Sequence, residues 1–326
     1  SYALGLSKEK LQEIFEIMIK TRCLEERLIK MSKSEDGFFW IGGPGEEAFS
    51  VPLGLQVKKG EGPEYDYLHL HYRSSGIAMA MGVSILDCIR QMHCRATDPF
   101  SAGRNFCNHY AVKKWNIIPM NPTLEVQYAM APGTAIAQKR VPGGTGITIV
   151  NGGDAATAEG DFETCLYWAS RPNNELPILI LVGNNQYGIS TPFEEVQGLK
   201  NISDRGKPYG MKTHRINGND PEESWNAIDE AMKYIRKHRK PYLLQYDVSR
   251  LHGHSSSTGG NYVEGEYDCL RDYEGIIIEK KIFTKMEVDA IWEKYTNECT
   301  KALEQAKQEP APAPEDIWKH IFKEEV

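Results

Sequence analysis

The sequence has no apolar run near the ~20 residues that a membrane-spanning helix needs, no Cys-x-x-Cys pair and no excess of basic residues. The first absence removes a helical membrane span. The seven cysteines, Cys23, Cys88, Cys94, Cys107, Cys165, Cys269 and Cys299, are scattered and odd in number. That argues against a disulfide scaffold or a cysteine-based zinc site, and fits reduced thiols in a cytosolic-type compartment. Lys and Arg number 38 against 45 Asp and Glu, a net charge of −7, so a nucleic acid has no basic face to bind. There is no internal repeat, and low complexity is confined to the Pro-Ala stretch Glu309–Pro314. The chain opens at Ser1 without a visible signal or transit pattern. A bacterial-type cytoplasmic location is therefore expected, with an organelle matrix as the other reading. What is present is ordinary globular composition: 326 residues, 40% hydrophobic and 25% charged, enough for a large core.

The stretch 146–191, GITIVNGGDAATAEGDFETCLYWASRPNNELPILILVGNNQYGIST, organises the rest of the chain. Gly146–Asn151 and Pro177–Val182 are short β-branched, apolar runs that end in small or polar clusters, as buried parallel strands do. Between them Ala158–Ser170 carries Phe162, Leu166 and Ala169 at helical spacing, with Glu159 and Asp161 in the first turn, where the helix dipole favours acids. These three pieces predict a βαβ unit whose strand ends open on one edge of the sheet, where ligands bind. Asp154 follows the first strand and Asn185 the second. One carboxylate and one side-chain amide, both oxygen donors, suit Mg²⁺ that keeps its other positions for phosphate oxygens, a carbonyl and water. The structural alternative is a plain α/β crossover whose Asp and Asn cap turns.

Along the chain, Leu6–Ser32 has the spacing of an amphipathic helix with Ser7 as N-cap. Gly43-Pro44-Gly45-Glu46-Glu47-Ala48 fits a Gly-x-Gly-x-x-Ala dinucleotide fingerprint, which needs a strand directly before it and a helix after; only the helix is convincing. Tyr65–Tyr72 reads as a strand ending in Tyr72-Arg73, Met81–Met92 as a helix and Ala96–Thr123 as irregular. A helix over Met130–Lys139 feeds the central strand. Thr213–Asn217 and Pro241–Ser249 read as later strands flanking a helix over Glu222–Arg239, whose basic end suits a helix C-terminus. A helix spaced by Leu270, Ile276 and Ile278 precedes a long charged one, Lys285–Lys307.

Gly153-Asp154-Ala155, then 28 residues, then Asn184-Asn185-Gln186-Tyr187 resembles the thiamine diphosphate motif Gly-Asp-Gly…Asn-Asn. Gly45-Glu46-Glu47-Ala48, Tyr72-Arg73-Ser74-Ser75-Gly76, Gly103-Arg104 with His109, Asn121–Gly133, and Arg250-Leu251-His252-Gly253-His254-Ser255 follow in the order found in alpha subunits of 2-oxo acid dehydrogenases. The resemblance runs from about Leu6 to Ile321. It implies an α/β thiamine diphosphate-binding fold over 1–326, with a mostly parallel sheet, helices on both faces, a helical N-terminal arm (1–36) and a helical C-terminal extension (268–326).

The resemblance also implies roles. Asp154, the Asn185 side chain and the Tyr187 carbonyl would hold Mg²⁺ on the diphosphate of thiamine diphosphate. Tyr72 and Arg73 would reach the terminal phosphate, as a phenol and a planar guanidinium are suited to do. Leu124, Ala155, Ala156 and His254 would complete the cofactor site, and His109 and His254 would serve catalysis, an imidazole being able to hold or release a proton near neutral pH. Arg104 would line the pocket, and Phe38–Ile41 a substrate funnel.

The chain would be the alpha subunit of the decarboxylating component of a 2-oxo acid dehydrogenase, an α2β2 heterotetramer with a beta subunit that supplies the glutamate activating the cofactor. It would decarboxylate a small 2-oxo acid and pass the acyl group to the lipoyl arm of an acyltransferase. Asn-Asn-Gln-Tyr-Gly-Ile-Ser-Thr leans towards branched-chain substrates, and His-Gly-His-Ser towards a pyruvate or acetoin enzyme. Departures from the family pattern lie at Val126 (family Thr, at a monovalent-cation site), Ala155 (family Gly) and Gly183 (family Arg in branched-chain members). Ala155 and Gly183 support a rival, a non-catalytic subunit of the same fold. A nicotinamide oxidoreductase built on Gly43–Ala48 is a second rival.

Overall fold

The structure, a computed structural model, describes residues 5–319; the ends of the two helical extensions and the resemblance at Ile321 lie outside the described residues. Five parallel strands form one sheet: β1 (Tyr67–His69), β2 (Thr148–Gly153), β3 (Ile178–Asn184), β6 (Lys212–Asn217) and β7 (Tyr242–Asp247), in the spatial order β1-β2-β3-β7-β6. A two-stranded antiparallel ribbon, β4 (Tyr187–Gly188) with β5 (Thr191–Pro192), caps the loop after β3.

The alternation of side chains across a strand explains why β2 and β3 read as unbroken apolar runs. On one face Val150, Ile178, Ile180, Val182 and Leu243 pack with Tyr128 and Ala131 of α5 (Val126–Arg140) and with Phe162 and Leu166 of α6 (Gly160–Ala169). On the other, Ile149, Leu179, Leu181, Leu244 and Tyr246 join a larger core. That core includes α1 (Lys8–Ser32), α2 (Glu47–Gln56), α3 (Ser75–Met81), α4 (Ile85–Met92) and α8 (Pro221–His238). A four-residue turn, α7 (Phe193–Val196), follows the ribbon, and α9 (Cys269–Glu279) and α10 (Lys285–Lys307) close the described chain against α1.

Several elements follow their sequence signals closely. Ser7 caps α1, accepting the Lys10 N–H, and Thr284 with Glu287 forms a capping box at the start of α10. Others differ. The helix expected over Met81–Met92 starts only at Ile85, where Ser84 caps α4; Met81 is the last residue of a separate helix, α3, which ends as Gly82 takes φ 103°. The strand expected over Tyr65–Tyr72 pairs only over three residues, so Tyr72-Arg73 sits in a turn beyond it. The helix expected from Met130 begins four residues earlier, at Val126. In α9 the residue packed inward is Ile277, with Ile276 and Ile278 flanking it.

Gly43–Ala48 has no strand before it. Its glycines answer a packing need instead: a Cβ on Gly43 would lie 2.8 Å from that of Arg73, and one on Gly45, at φ 109°, would lie 2.5 Å from the Ser249 carbonyl oxygen. The loop is threaded between two site segments rather than wrapped round a dinucleotide.

Arg22 ties three elements together. Its guanidinium donates to Glu47 of α2 at 2.6 Å and to Asp268, the N-cap of α9, at 2.9 Å, all three side chains being at least nine-tenths buried. Removing one partner of a buried pair strands the other charge. Arg22→Ala is expected to cost roughly 3–5 kcal/mol of stability, read as a fall in the urea midpoint; an unchanged midpoint would refute this role.

Candidate cofactor site

The site lies at the carboxyl ends of four neighbouring strands, β1, β2, β3 and β7, each of which runs out into one of the sequence-predicted segments. Asp154 directly follows β2 and is 1% exposed. Its N–H donates to the Gly183 carbonyl, and its carbonyl accepts the Thr157 hydroxyl and the Gln197 amide, which fixes the turn. Its Oδ2, however, is buried with no protein partner. Burial pushes the Asp154 carboxyl up to about 6, against the pull of Arg73. Asn185 directly follows β3, buried at 3% exposure; its Oδ1 accepts the Tyr187 N–H at 3.2 Å, and its Nδ2 is unpartnered. Tyr187 opens the ribbon, half-buried, with the Arg250 guanidinium 4.7 Å from its ring centroid.

Arg73, beyond β1, is 4% exposed. Its Nε faces Glu46 at 3.7 Å with no hydrogen bond, a second nitrogen donates to His254 Nδ1 at 3.3 Å, and the group lies over the Tyr72 ring. A Cβ on Gly153 would stand 3.5 Å from Arg73 Nη1, so the guanidinium reaches the same strand end as Asp154. His254, beyond β7, meets the Tyr72 ring edge-on at 5.9 Å. Burial first, then Arg73 and Arg250, lower the His254 imidazole to about 4, so it is neutral near pH 7. Accepting from Arg73 at Nδ1 leaves its proton on Nε2. Arg250 donates to the Ile189 carbonyl at 2.7 Å, and its Nε is also buried and unpartnered.

Ala155 and Ala156 open a 3-10 turn after Asp154. The Ala155 methyl is accommodated because Gly188 faces it: a Cβ at 188 would stand 2.6 Å away. Gly183, where branched-chain relatives are expected to carry Arg, is filled from the other side by Tyr246, whose hydroxyl would lie 2.7 Å from a Cβ there and donates to Asn151. Leu124 stands just before α5 with its side chain half exposed.

His109 is 4% exposed and held on both sides of its backbone by Gln91, with Nδ1 donating to the Cys107 carbonyl at 2.8 Å. Its neighbour Asn108 donates to Glu25 at 3.1 Å, and Glu25 also accepts the Trp40 indole at 2.8 Å. This network joins α1 to the 37–42 and 107–110 segments. A cavity of about 370 Å³ lined by Phe38, Phe39, Phe106 and Pro122 adjoins them. Arg104 also lines it, with its guanidinium donating to the carbonyls of Asp316 and Lys319.

Three groups at the site carry no role in the sequence reading. His71, 5% exposed, lies against the Tyr72 ring at a tilt, centroids 3.8 Å apart, and within electrostatic reach of Arg73, His109 and His254, its pKa driven well down by burial. Glu46 faces Arg73, with burial raising its carboxyl to about 8. Glu125, just before α5, has a carboxyl raised to about 8 by burial and accepts the Gly153 N–H at 3.4 Å. A larger cavity, about 680 Å³, opens between β6, α8 and α9 and contains none of the residues assigned above. Among the described residues no group of three His, Cys, Asp or Glu side chains forms a metal cluster, so a cation here would rely on amide and carbonyl oxygen beside carboxylate.

The pattern of the dehydrogenase E1 component family matches residues 15–315. The chain is similar to the 2-oxoisovalerate dehydrogenase subunit alpha of Bacillus subtilis, 27% identical over 98% of this chain and 97% of that protein. It is 25% identical to the mitochondrial 2-oxoisovalerate dehydrogenase subunit alpha of Homo sapiens, over 98% of this chain and 72% of that one. With the mitochondrial protein of the same name from Caenorhabditis elegans it shares 32% identity, over 75% of this chain and 55% of the relative.

Burial raises the Glu25 carboxyl to about 7 from 4.5. The folded value lies above the unfolded one, so stability from protonated Glu25 is full below about pH 4.5 and is lost as pH rises through about 7. The shift corresponds to about 3 kcal/mol. Glu25→Gln should flatten the fall in stability over that window, measured as urea midpoint against pH; an unaltered profile would refute it.

Proposed function

Because this chain belongs to the dehydrogenase E1 component family, which is thiamine diphosphate-dependent, we propose that it is the alpha subunit of a 2-oxo acid dehydrogenase. Its substrate would be a branched-chain 2-oxo acid, and the acyl product would pass to a lipoyl group. The observation that carries this is one strand edge on which Asp154 Oδ2, Asn185 Nδ2 and Arg250 Nε are buried without a protein partner and Arg73 Nε has only Glu46, 3.7 Å away. Buried polar atoms in folded proteins are as a rule paired. Two guanidinium groups beside a carboxylate and an amide form a donor set for a diphosphate with a divalent cation.

Asp154, the amide oxygen of Asn185 and the Tyr187 carbonyl would hold Mg²⁺. Tyr72, Arg73 and Arg250 would bind phosphate oxygens, Arg250 standing in for the arginine absent at Gly183. Ala155, Ala156 and Leu124 would shape the remaining wall. Bound thiamine diphosphate supplies a nucleophilic carbon and an electron sink for decarboxylation. His254, neutral with its proton on Nε2, can donate there, and His109, with Nδ1 tied to Cys107, offers Nε2 as an acceptor. Phe38 and Phe106, 78% and 50% exposed, would line the substrate approach.

Residues 1–326 would act as a single cofactor domain with helical ends, completed by a beta subunit in an α2β2 heterotetramer and served by a lipoyl acyltransferase. No helix among the described residues is long and apolar enough to cross a membrane, and we place the protein in a cytoplasmic or matrix compartment. The names of the relatives support branched-chain over pyruvate or acetoin chemistry.

The chain alone should not decarboxylate 2-oxo acids, whereas co-expression with its beta subunit should give activity on 3-methyl-2-oxobutanoate that depends on thiamine diphosphate and Mg²⁺. In that assembly Arg73→Ala should weaken thiamine diphosphate binding by about tenfold to hundredfold, read by calorimetry. Appreciable turnover by the isolated chain would sink the subunit assignment, and unchanged affinity in Arg73→Ala would sink the phosphate role.

A further inference from the structure

Glu125 is set in place by an unusual backbone. It is the residue before α5 and takes the left-handed conformation, φ 61°, which non-glycine residues seldom adopt. That conformation turns its side chain back over the end of β2. Its carboxyl is 1% exposed; Oε1 accepts the Gly153 N–H at 3.4 Å, and Oε2 has no partner. Gly152 lies beneath it: a Cβ there would stand 2.8 Å from both carboxyl oxygens. The glycine at 152 is thus the space that this carboxyl occupies.

Two residues further on is Asp154, whose Oδ2 is also buried and unpartnered. One strand end therefore carries two buried carboxyl oxygens with no donor, within electrostatic reach of each other. Arg73, the nearby guanidinium, is directed to Glu46 and His254. Two such carboxyls are costly to hold ionised unless a cation sits with them. The affinity of an oxygen-donor site for a hard divalent ion rises with the number of charged ligands.

We propose that Glu125 is a further ligand, directly or through one water, of the divalent cation held by Asp154, so that the site takes up the cation before any diphosphate arrives. This rests on the reading of Asp154 as a cation ligand. A hard divalent ion of the Mg²⁺ or Mn²⁺ class is the ligand chemistry, since every donor is oxygen.

The test uses the full chain as purified, stripped of metal by chelation and free of thiamine diphosphate, titrated with Mn²⁺ while free Mn²⁺ is followed by electron paramagnetic resonance. Wild type should bind one Mn²⁺. Glu125→Gln, which preserves shape, should weaken binding by about tenfold or more, Glu125→Asp should keep part of it, and Asp154→Asn should abolish it, with thermal melts showing each variant folded. Equal affinity in wild type and Glu125→Gln, with Asp154→Asn inactive in binding, overturns the Glu125 proposal and leaves the cofactor-site reading standing. Binding by Asp154→Asn equal to wild type overturns both. Failure of wild type to bind Mn²⁺ without diphosphate overturns the order of uptake proposed here.

Discussion

A carboxylate buried at the end of a parallel strand, with one oxygen left unpartnered, is the constraint on which the rest of this site depends. Asp154 can keep its charge there only if cations gather round it. The fold brings them from neighbouring strands: Arg73 from beyond β1, Arg250 from beyond β7. It also adds two carboxyls that would carry the same sign as Asp154 when ionised. Glu46 and Glu125 are each buried, and each is raised by burial and by the presence of Asp154. The edge is thus poorly compensated by the protein alone, with unpartnered donors and acceptors side by side. A ligand carrying both phosphate oxygens and a divalent cation would satisfy both sets, whereas a simple anion or a simple cation would satisfy one.

Rigidity around this edge comes from packing at a distance. Phe49 of α2 stacks on Tyr246 with ring centroids 3.5 Å apart, and the Tyr246 hydroxyl reaches Asn151. Arg22 locks α2 to α1 and α9. The tail after α10 reaches back to α4 and to the loop before His109: Arg90 of α4 pairs with Glu309 at 2.6 Å, and Arg104 of the loop binds tail carbonyls. The C-terminal extension therefore works on the pocket through the 95–104 loop, and Arg104 acts as part of that strap.

The parts of the site that could be read from the sequence are those that follow an apolar run. Asp154 and Asn185 each come directly after a buried strand, so the hydrophobic pattern locates them, whereas Tyr72-Arg73 and His254 lie a few residues beyond one and are singled out by the family resemblance. The parts that could not are fixed by contacts remote in sequence. Glu125 lies at a junction between loop and helix, where no periodicity signals it, and its burial is decided by Gly152. Glu25 has the look of a polar position on an amphipathic helix, yet Trp40 and Asn108, 15 and 83 residues away, turn it inward. His71 is hidden beside the stronger Tyr72-Arg73 signal. The break between α3 and α4 did carry a signal, Gly82 followed by Ser84, a helix stop and a helix start. The apolar spacing of Met79, Met81 and Ile85 runs across it and conceals it.

The most direct test of the central claim is a crystal structure of the chain with its co-purified partner, grown with thiamine diphosphate and Mn²⁺, with anomalous scattering used to place the metal. The account predicts an anomalous peak coordinated by Asp154 and Asn185, with the diphosphate between it and Arg73. A well-formed sheet edge with no metal at Asp154, or thiamine diphosphate bound elsewhere, would contradict it.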